Sequence, residues 1–349
     1  EGDQASAWFG NSVSTAGDVN GDGYSDVIVG SPDYDYGQPD EGRIFVYLGS
    51  AGGLATNPAW TAEGQASSSL GWSVSTAGDV NGDGYSDVIA GAYLHDNGQL
   101  DEGRAYVFYG SAIGLTTADW TAESDQASAW FGWSVSTAGD VNGDGYSDVI
   151  AGAFKHDTGQ SDEGRAYAFY GSAIGLTTAD WTAEGDQIGA AFGVSVSTAG
   201  DVNGDGYSDV IVGAQEFDGD QSDEGGAFVY HGSASGLGSI PAWTAESDQS
   251  FCLFGCSVST AGDVNGDGYS DVIIGGRDYD SVATNEGRAY VYLGSASSLD
   301  TSPAWTASVL QLSAGSGWSV STAGDVNGDG YAEVIVGAAL ENHGQIDEG

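Results

Sequence analysis

One acidic phrase, DVNGDGYSD, recurs six times along the 349-residue chain with little change. The copies begin 61 or 62 residues apart, at Asp18, Asp79, Asp140, Asp201, Asp263 and Asp325. A fixed period of this length indicates a repeat architecture, in which each repeat is one supersecondary unit. The flanking segments recur with the same period, so we expect a single domain over residues 1–349. Its repeats are predicted at residues 1–61, 62–122, 123–183, 184–245, 246–307 and, incomplete, 308–349.

Each repeat contains short runs of Val, Ile, Tyr, Phe and Trp between Gly, Asp, Asn and Ser, which is typical of β-structure. In the second repeat, residues 72–78 alternate between polar and apolar, and residues 88–92 are apolar or small, as in a strand covered on both faces. Two further strands are predicted at 104–111 and 120–123. Four antiparallel strands per repeat predict an all-β protein, a β-propeller with one blade per repeat. The alternative is a solenoid, whose coils are usually shorter, roughly 20 to 30 residues.

The acidic phrase has the composition of a metal-binding loop, and we call it the acidic loop. Positions 1, 3, 5 and 9 offer carboxylate or amide oxygens, position 7 offers a backbone carbonyl, and Gly at position 6 permits a sharp turn. Several hard oxygen ligands in a flexible shell suit Ca²⁺ better than Mg²⁺. We predict about one Ca²⁺ per repeat, up to six. The predicted ligands are Asp18, Asn20, Asp22, Tyr24 and Asp26; Asp79, Asn81, Asp83, Tyr85 and Asp87; Asp140, Asn142, Asp144, Tyr146 and Asp148; Asp201, Asn203, Asp205, Tyr207 and Asp209; Asp263, Asn265, Asp267, Tyr269 and Asp271; and Asp325, Asn327, Asp329, Tyr331 and Glu333.

Two other interpretations of the acidic loop are weaker. An EF-hand needs a Glu at position 12, where this chain has Val29, Ala90, Ala151, Val212, Ile274 and Val336. A plain turn explains Asp, Asn and Gly, but it does not require four oxygen ligands in each of six copies. Three carboxylates about 5 Å apart repel by about 3 kcal/mol per pair at an effective dielectric constant near 20. A divalent cation reverses that cost, so metal binding is expected to contribute to folding.

The charge of the chain restricts its partners. Its 51 acidic and 6 basic residues give a formal net charge of −45, which disfavours nucleic acid and anionic lipid. No apolar run approaches the length that spans a bilayer, so membrane insertion is not expected. Motifs such as GxSxG, HExxH and the phosphate-binding Gly-Lys-Ser/Thr are absent from the sequence. The chain is therefore predicted not to be an enzyme, with no catalytic residues and no organic cofactor.

Two smaller features leave alternatives open. Cys252 and Cys256 are either two buried thiols or, if the strand bends, a disulfide, because four residues of extended strand separate the Cα atoms by about 13 Å. Glu1 and Gly349 both lie inside a repeat, so we expect the chain to be part of a longer protein. The excess of Asp with a single Lys also suggests adaptation to salt.

Several short motifs together resemble a known family. The dipeptide FG (Phe9-Gly10, Phe131-Gly132, Phe192-Gly193, Phe254-Gly255), the acidic loop, and VGA or AGA (residues 212–214 and 151–153) resemble the FG-GAP repeat of the integrin α-subunit N-terminal propeller and its bacterial relatives. The resemblance covers the whole chain, although Leu70 and Ser316 replace the Phe in two repeats. It implies seven blades, calcium loops between the first and second strands on one face, and ligand recognition on the other face. With six repeats visible and the last incomplete, the chain is expected to be either part of a seven-bladed ring or a six-bladed ring completed by residues outside this sequence.

The opposite face carries the segments between the second and third strands, which end in Asp-Glu-Gly. Their acids (Asp40, Glu41, Asp101, Glu102, Asp162 and Glu163) either pair with the Arg that follows or cap turns, or else they form a recognition surface. We expect His95 and His156 to be exposed there. The recurring Trp60, Trp120, Trp181, Trp243 and Trp305 are expected to pack between blades rather than to stack on sugars. The tryptophans that vary between repeats (Trp8, Trp72, Trp130, Trp133 and Trp318) are better candidates for binding.

The function that we predict from the sequence is an extracellular, secreted or cell-surface recognition module. It binds a protein or glycan ligand on the face opposite the calcium loops and acts in adhesion. Two alternatives remain open. One is a structural cell-surface or filament component, for which self-assembly would be the partner interaction. The other is a carbohydrate-binding accessory domain of a larger secreted enzyme.

Overall fold

The computed structural model describes residues 4–341, and this part of the chain is all β-structure, with 22 strands. It has no helix, and hence none with the length and apolar character of a bilayer-spanning segment. The strands of blades 1 to 3 are β1 (Val13–Gly17), β2 (Asp26–Ser31), β3 (Arg43–Tyr47), β4 (Trp60–Glu63), β5 (Ser73–Gly78), β6 (Asp87–Ala92), β7 (Arg104–Phe108), β8 (Trp120–Glu123), β9 (Ser134–Gly139), β10 (Asp148–Ala153), β11 (Arg165–Phe169) and β12 (Trp181–Glu184). The strands of blades 4 to 6 are β13 (Phe192–Gly200), β14 (Asp209–Ala214), β15 (Gly226–Tyr230), β16 (Trp243–Glu246), β17 (Phe254–Gly262), β18 (Asp271–Gly276), β19 (Arg288–Tyr292), β20 (Trp305–Ala307), β21 (Ser316–Gly324) and β22 (Glu333–Ala338).

Each of the first five repeats folds into one antiparallel sheet whose four strands follow chain order, and the sixth contributes a two-stranded sheet within the described residues. The predicted all-β architecture of four-stranded propeller blades is confirmed. By backbone proximity the chain divides into two compact units. The first comprises the chain up to Asp140 with Asp144–Asp157 and Ala166–Thr182, and the second comprises Val141–Gly143, Thr158–Arg165 and the chain from Ala183. Blade boundaries and the seven-bladed ring remain predictions.

In each of the first five blades the second strand is the most deeply buried. All six residues of β6 are buried, because it pairs with β5 on one side and β7 on the other while both of its faces are covered. Its near-continuous run of Val, Ile, Ala and Gly suits that position. The first strand ends at the glycine that enters the acidic loop, and the second begins at the Asp that closes it. The most deeply buried strand of the blade therefore holds one side of the loop.

Neighbouring blades pack through apolar side chains. Between blades 1 and 2, Ile28, Ile44 and Val46 lie in one buried cluster with Val88 and Phe108. The tryptophan that begins the fourth strand seals this interface, since the Trp60 indole packs edge-on against Phe108 with ring centroids 4.9 Å apart. Its Nε1 also donates a hydrogen bond to the carbonyl of Thr116 in the next blade, at 2.9 Å.

Glycines bring consecutive blades into backbone contact. A Cβ added to Gly91, in the AGA motif of blade 2, would lie 1.8 Å from the carbonyl oxygen of Gly132, in the FG motif of blade 3. Gly30 meets Gly71 in the same way, and in the second unit Gly213 meets Gly255. The Phe of the FG motif is buried beside this contact, with Phe131 only 1% exposed. The two motifs are therefore the two halves of one joint between blades.

Candidate metal centres

Every acidic loop joins the first strand of a blade to the second, as predicted. In the second blade, Asp79 at position 1 accepts hydrogen bonds from the amides of Gly82, Asp83 and Gly84 at 2.7, 3.1 and 2.9 Å. Asn81 Oδ1 accepts the amide of Asp83 at 2.9 Å, and Asp83 Oδ1 accepts the amide of Tyr85 at 3.1 Å. The side chains at positions 1, 3 and 5 thus fold the loop back on itself and gather their oxygens in one place.

The acid at position 9 lies deeper than the other three. Asp87 is fully buried, and its two oxygens accept the amide of Val80 at 2.9 Å and the amide of Gly110 at 2.8 Å. Gly110 lies just after β7, so this carboxylate ties the acidic loop to the end of the third strand. Equivalent pairs of hydrogen bonds, all between 2.8 and 2.9 Å, are made by Asp26, Asp209 and Asp271.

Burial makes the ionised form of these position-9 acids costly. It raises the pKa of Asp87 and Asp209 to about 7 and that of Asp271 to about 6. In the second blade the neighbouring carboxylates of Asp83 and Asp79 raise the pKa of Asp87 further, and the two backbone amides only partly oppose this. A cation held at the loop would stabilise the charged form. The buried acid therefore fits a metal site better than it fits an ordinary turn.

The sixth loop differs because Glu333 replaces the closing Asp. Its longer side chain places an oxygen within 4.8 Å of oxygens of both Asp325 and Asp329, which is the only such group of three acids in the acidic loops of residues 4–341. Glu333 Oε2 also accepts the amide of Val326 at 2.8 Å, and Oε1 accepts Asn327 Nδ2 at 2.6 Å. In the other five loops the position-9 oxygens point to backbone amides, and the acids at positions 1 and 5 stay nearer the surface.

The side chains at positions 7 and 8 contact the neighbouring loop, a role that the sequence did not suggest. The Tyr85 ring lies against Gly21 in the acidic loop of blade 1. Ser86 Oγ accepts the amide of Asp18 at 3.1 Å, and the amide of Ser86 donates to the carbonyl of Asp18 at 3.0 Å. The sixth loop has Ala332 at position 8 and keeps only the backbone half of this contact, to Asp263 at 2.9 Å. Successive loops within each unit are thus linked directly.

The Asp-Glu-Gly segments are structural, and their predicted pairing with the following Arg is wrong. Their glutamates, with Glu286 in the equivalent Asn-Glu-Gly of the fifth repeat, are at most 3% exposed: Glu41, Glu102, Glu163, Glu224 and Glu286. Glu224 Oε1, for example, accepts the amides of Gly219 and Gln221 at 2.8 and 3.1 Å, so the alternative expectation of turn capping is confirmed. Three of these arginines pair instead across the third and fourth strands, as in Arg43 with Glu63 at 3.1 Å. A second group of three acids, Glu163, Glu184 and Asp186, also has carboxylate oxygens within 4.8 Å of one another, but Arg165 pairs with its Glu184 at 3.4 Å.

His95 is buried rather than exposed as predicted. It is 6% exposed, and its Nδ1 lies 3.2 Å from the hydroxyl of Tyr106. Burial, with the nearby Arg104 guanidinium, lowers the pKa of His95 to about 4. His156 in the next blade is half-buried and contacts the ring of Tyr167. The loop folds back over the third strand, which the local sequence does not reveal.

The recurring tryptophans and the two cysteines were also the subject of predictions. Trp120 packs on Phe169 and Trp243 on Tyr292, with centroids 4.7 and 4.9 Å apart, which confirms inter-blade packing. Trp305 is an exception, being 45% exposed. Cys252 and Cys256 are both free thiols, so the disulfide alternative is wrong. Burial raises their pKa values to about 12 and about 11.

Comparison with known proteins identifies the same repeats. Four segments match the FG-GAP repeat, at residues 9–47, 70–108, 131–169 and 192–230, and residues 263–336 match the FG-GAP-like repeat. Each of the four segments starts at the FG motif or its equivalent and ends with the third strand. The matched segments therefore contain the acidic loops and the glycine joints.

Several similar proteins are integrin α chains. The chain is 31% identical to integrin alpha-4 of Xenopus laevis over 256 residues, which is 71% of this chain and 23% of that protein. It is 30% identical to integrin alpha-V of Gallus gallus over 254 residues, or 70% and 23% of the two chains. Integrin alpha pat-2 of Caenorhabditis elegans is 33% identical over 223 residues, or 59% and 18%. The chain spans less than a quarter of the length of these relatives.

Proposed function

Because this chain belongs to the FG-GAP repeat family and forms integrin-like propeller blades, we propose that it is an extracellular, calcium-stabilised recognition module that acts in adhesion. The observation that carries the proposal is the acidic loop, repeated six times with the same oxygen donors. In each complete blade it combines three partly exposed donors with one buried acid. This donor set contains neither sulfur nor imidazole, as expected for a hard cation.

Calcium is the cation that we assign to these loops. Positions 1, 3, 5 and 9 would hold the ion through side-chain oxygens and position 7 through its backbone carbonyl, within a shell flexible enough for Ca²⁺. The ion would neutralise acids that otherwise repel each other. Since the loops are also linked to one another, filling them would stabilise each unit as a whole. Extracellular calcium modules bind in the range of about 10⁻⁴ to 10⁻³ M. The proposed secreted or cell-surface location would supply calcium to loops with affinities in this range.

The test is to count calcium on the native protein and to measure thermal unfolding with and without EDTA. We expect about six ions per chain and a large fall in Tm on chelation. An unchanged Tm together with no bound calcium would mean that the loops are ordinary turns, and the proposal would fail.

Recognition needs a second measurement. Arrays of extracellular proteins and of glycans, probed in calcium and in EDTA, should give binding that depends on calcium. If neither array binds and the protein instead forms ordered assemblies, the structural-component alternative would replace adhesion.

A further inference from the structure

Blades 2 and 3 share a cluster of five half-buried aromatic side chains, which we call the aromatic platform: Trp72, Tyr93, Trp130, Trp133 and Phe154. Trp133 is its centre, with ring centroids 4.5 Å from Trp72, 4.9 Å from Tyr93 and 4.9 Å from Phe154. Trp130 stacks on Trp133 at 5.5 Å. All five rings remain partly exposed. The platform is therefore apolar surface in contact with water rather than part of the core.

The platform lies at the ends of the strands opposite to the acidic loops. Trp72 and Trp133 directly precede the first strands of their blades, and Tyr93 and Phe154 directly follow the second strands. The acidic loops join the other ends of these strands. Six residues of β-strand span about 20 Å, so a ligand on the platform would not contact the metal loops.

The repeats differ from one another at this surface while their scaffold stays constant. Residues 12–26 recur without change in the first five repeats, yet the residue just before this segment is Asn11, Trp72, Trp133, Val194 or Cys256. The position of Tyr93 and Phe154 is likewise Pro, Gln or Arg in other repeats. The same blade forms with each of these side chains, so the packing of the blade does not require an aromatic residue at either position. The aromatic set of blades 2 and 3 is thus a local addition to the scaffold.

Lys155 provides the platform with a positive charge. It is the only lysine of the chain, and its Nζ lies 3.6 Å from the centroid of the Trp130 ring. Three arginines form ion pairs with glutamates, whereas within residues 4–341 Lys155 forms none, although the chain has 51 acids. Its ammonium is held by an aromatic face and has no counter-anion in the described chain.

We propose that the aromatic platform with Lys155 binds an acidic glycan through a uronic acid residue. The apolar C–H face of the sugar would stack on the tryptophans, and its carboxylate would accept a hydrogen bond from Lys155 Nζ. This inference rests on the proposed recognition function and specifies the ligand class of one surface.

The net charge of −45 does not prevent this. At 0.15 M salt the Debye length is about 8 Å, so distant exposed acids are largely screened. Asp33 and Asp101 lie near enough to act on the Tyr93 hydroxyl, so the ligand carboxylate is placed at Lys155 rather than at Tyr93. A basic peptide is the less suitable ligand, because Lys155 already occupies the face of Trp130 and would repel a second cation.

The test uses the calcium-loaded protein and trimers of galacturonate and of mannuronate, which are too short to gel with calcium, with their methyl esters as neutral controls. Calorimetry should show that a uronate trimer binds at least tenfold more tightly than its ester. Lys155→Gln should remove that difference and leave ester binding unchanged. Trp133→Ala should weaken both ligands at least tenfold, with Trp133→Phe as the milder variant if Tm falls. Trp305→Ala, which removes an exposed tryptophan outside the platform, should bind like the original protein.

Equal binding of acid and ester, undiminished uronate binding by Lys155→Gln, or no binding of any trimer would each overturn the proposal. Binding of oligolysine that Trp133→Ala abolishes would also overturn it, in favour of a cationic partner. In each case, Tm that still depends on calcium would leave the proposed calcium role intact. The two hypotheses can therefore fail separately.

Discussion

The ring of Tyr85 lies against Gly21, which belongs to the acidic loop of the preceding blade. A Cβ built on Gly21 would lie only 2.6 Å from Cε1 of Tyr85, and the backbone there has a φ of +74°. Gly23, two residues later, has a φ of +89° and would place its Cβ in open space. A side chain at Gly23 would therefore meet only backbone strain within its own loop. A side chain at Gly21 would meet the same kind of strain and, in addition, a steric contact with the neighbouring loop.

The first prediction compares alanine at these two positions. Gly23→Ala should cost about 1–2 kcal/mol of unfolding free energy through its left-handed backbone alone. Gly21→Ala should cost a further 1–3 kcal/mol or so, because the Tyr85 ring must move. Urea denaturation in saturating calcium measures both values. Tyr85→Ala should recover part of the Gly21→Ala loss in the double variant, and equal losses for the two glycine variants would contradict a steric link.

A second prediction concerns the number of metal ions. Glu333→Gln removes the closing carboxylate of the sixth loop and should lower the calcium count from about six to about five, without affecting the other sites. Glu63→Gln, which removes an acid paired with Arg43 outside any acidic loop, is the matched control and should leave the count unchanged. If Glu333→Gln still bound the full number of calcium ions, the Glu333 carboxylate would not be a required calcium ligand of the sixth loop.

The third prediction is a pH dependence caused by His95. Burial lowers its pKa to about 4, so between that value and the unfolded value near 6.5 the unfolded state binds more protons than the folded state. Stability should therefore fall as the pH decreases through this window, by up to about 3 kcal/mol at 1.36 kcal/mol per pKa unit. The groups that act on His95 are Arg104, Glu123 and Asp96.

His95→Phe tests this dependence, since the fourth blade has Phe217 at the same position. At every pH the variant should lose about the same amount of stability, because the contact with Tyr106 is missing. Its stability should also fall less steeply as the pH decreases, because His95 no longer contributes to the pH dependence. Urea midpoints of both proteins at pH 7 and pH 4.5 give the comparison. Parallel pH profiles would mean that His95 becomes protonated in the folded state.

The fourth prediction concerns the ion pair that blade 4 lacks. Gly226 stands opposite Glu246 in the strand register, where blade 2 has Arg104 opposite Glu123. Burial and the nearby Glu224 carboxylate raise the pKa of Glu246. The folded state therefore loses stability as the pH rises and Glu246 ionises.

Gly226→Arg should offset this cost, but a Cβ at this position would lie 3.0 Å from the Phe228 ring and 3.3 Å from Phe217. The double variant Gly226→Arg/Phe217→His, which copies blade 2 at these two positions, should be more stable than the single variant because it relieves the contact with Phe217. The ion pair itself should contribute about 0.5 kcal/mol. The gain of the double variant over the original protein should be larger at pH 7 than at pH 4. A gain independent of pH would exclude the ion pair as its source.

The sequence predicted the features that depend on local pattern. The strands of the second blade appear where alternation and apolar runs indicated them, and the acidic loops lie between first and second strands. The partner of Arg43 was mistaken because the carboxylate of Glu41, a nearby acid in sequence, accepts the backbone amide of Tyr36 in its own loop. The backbone amide of Asp40 likewise donates within the loop, to the Asp35 carboxylate at 2.7 Å. Strand register instead places Glu63, twenty residues away, opposite Arg43.

Contacts between repeats could not be read from the sequence of one repeat. Tyr85 and Gly21 are 64 residues apart in the chain, and their contact depends on how one blade is placed on the next. The aromatic platform likewise combines residues of blades 2 and 3. His95 was misjudged because its loop folds back over Tyr106, so that a polar side chain in an acidic segment becomes buried.

The backbone joint between glycines such as Gly91 and Gly132 has a consequence for how such a chain can change over evolutionary time. Because the closest contact between blades involves no side chain, this contact places no demand on the side chains of a duplicated blade. An array of this kind can lengthen, shorten or exchange its units by recombination while this joint stays compatible. Surface positions at the ends of the strands are then free to diversify one blade at a time.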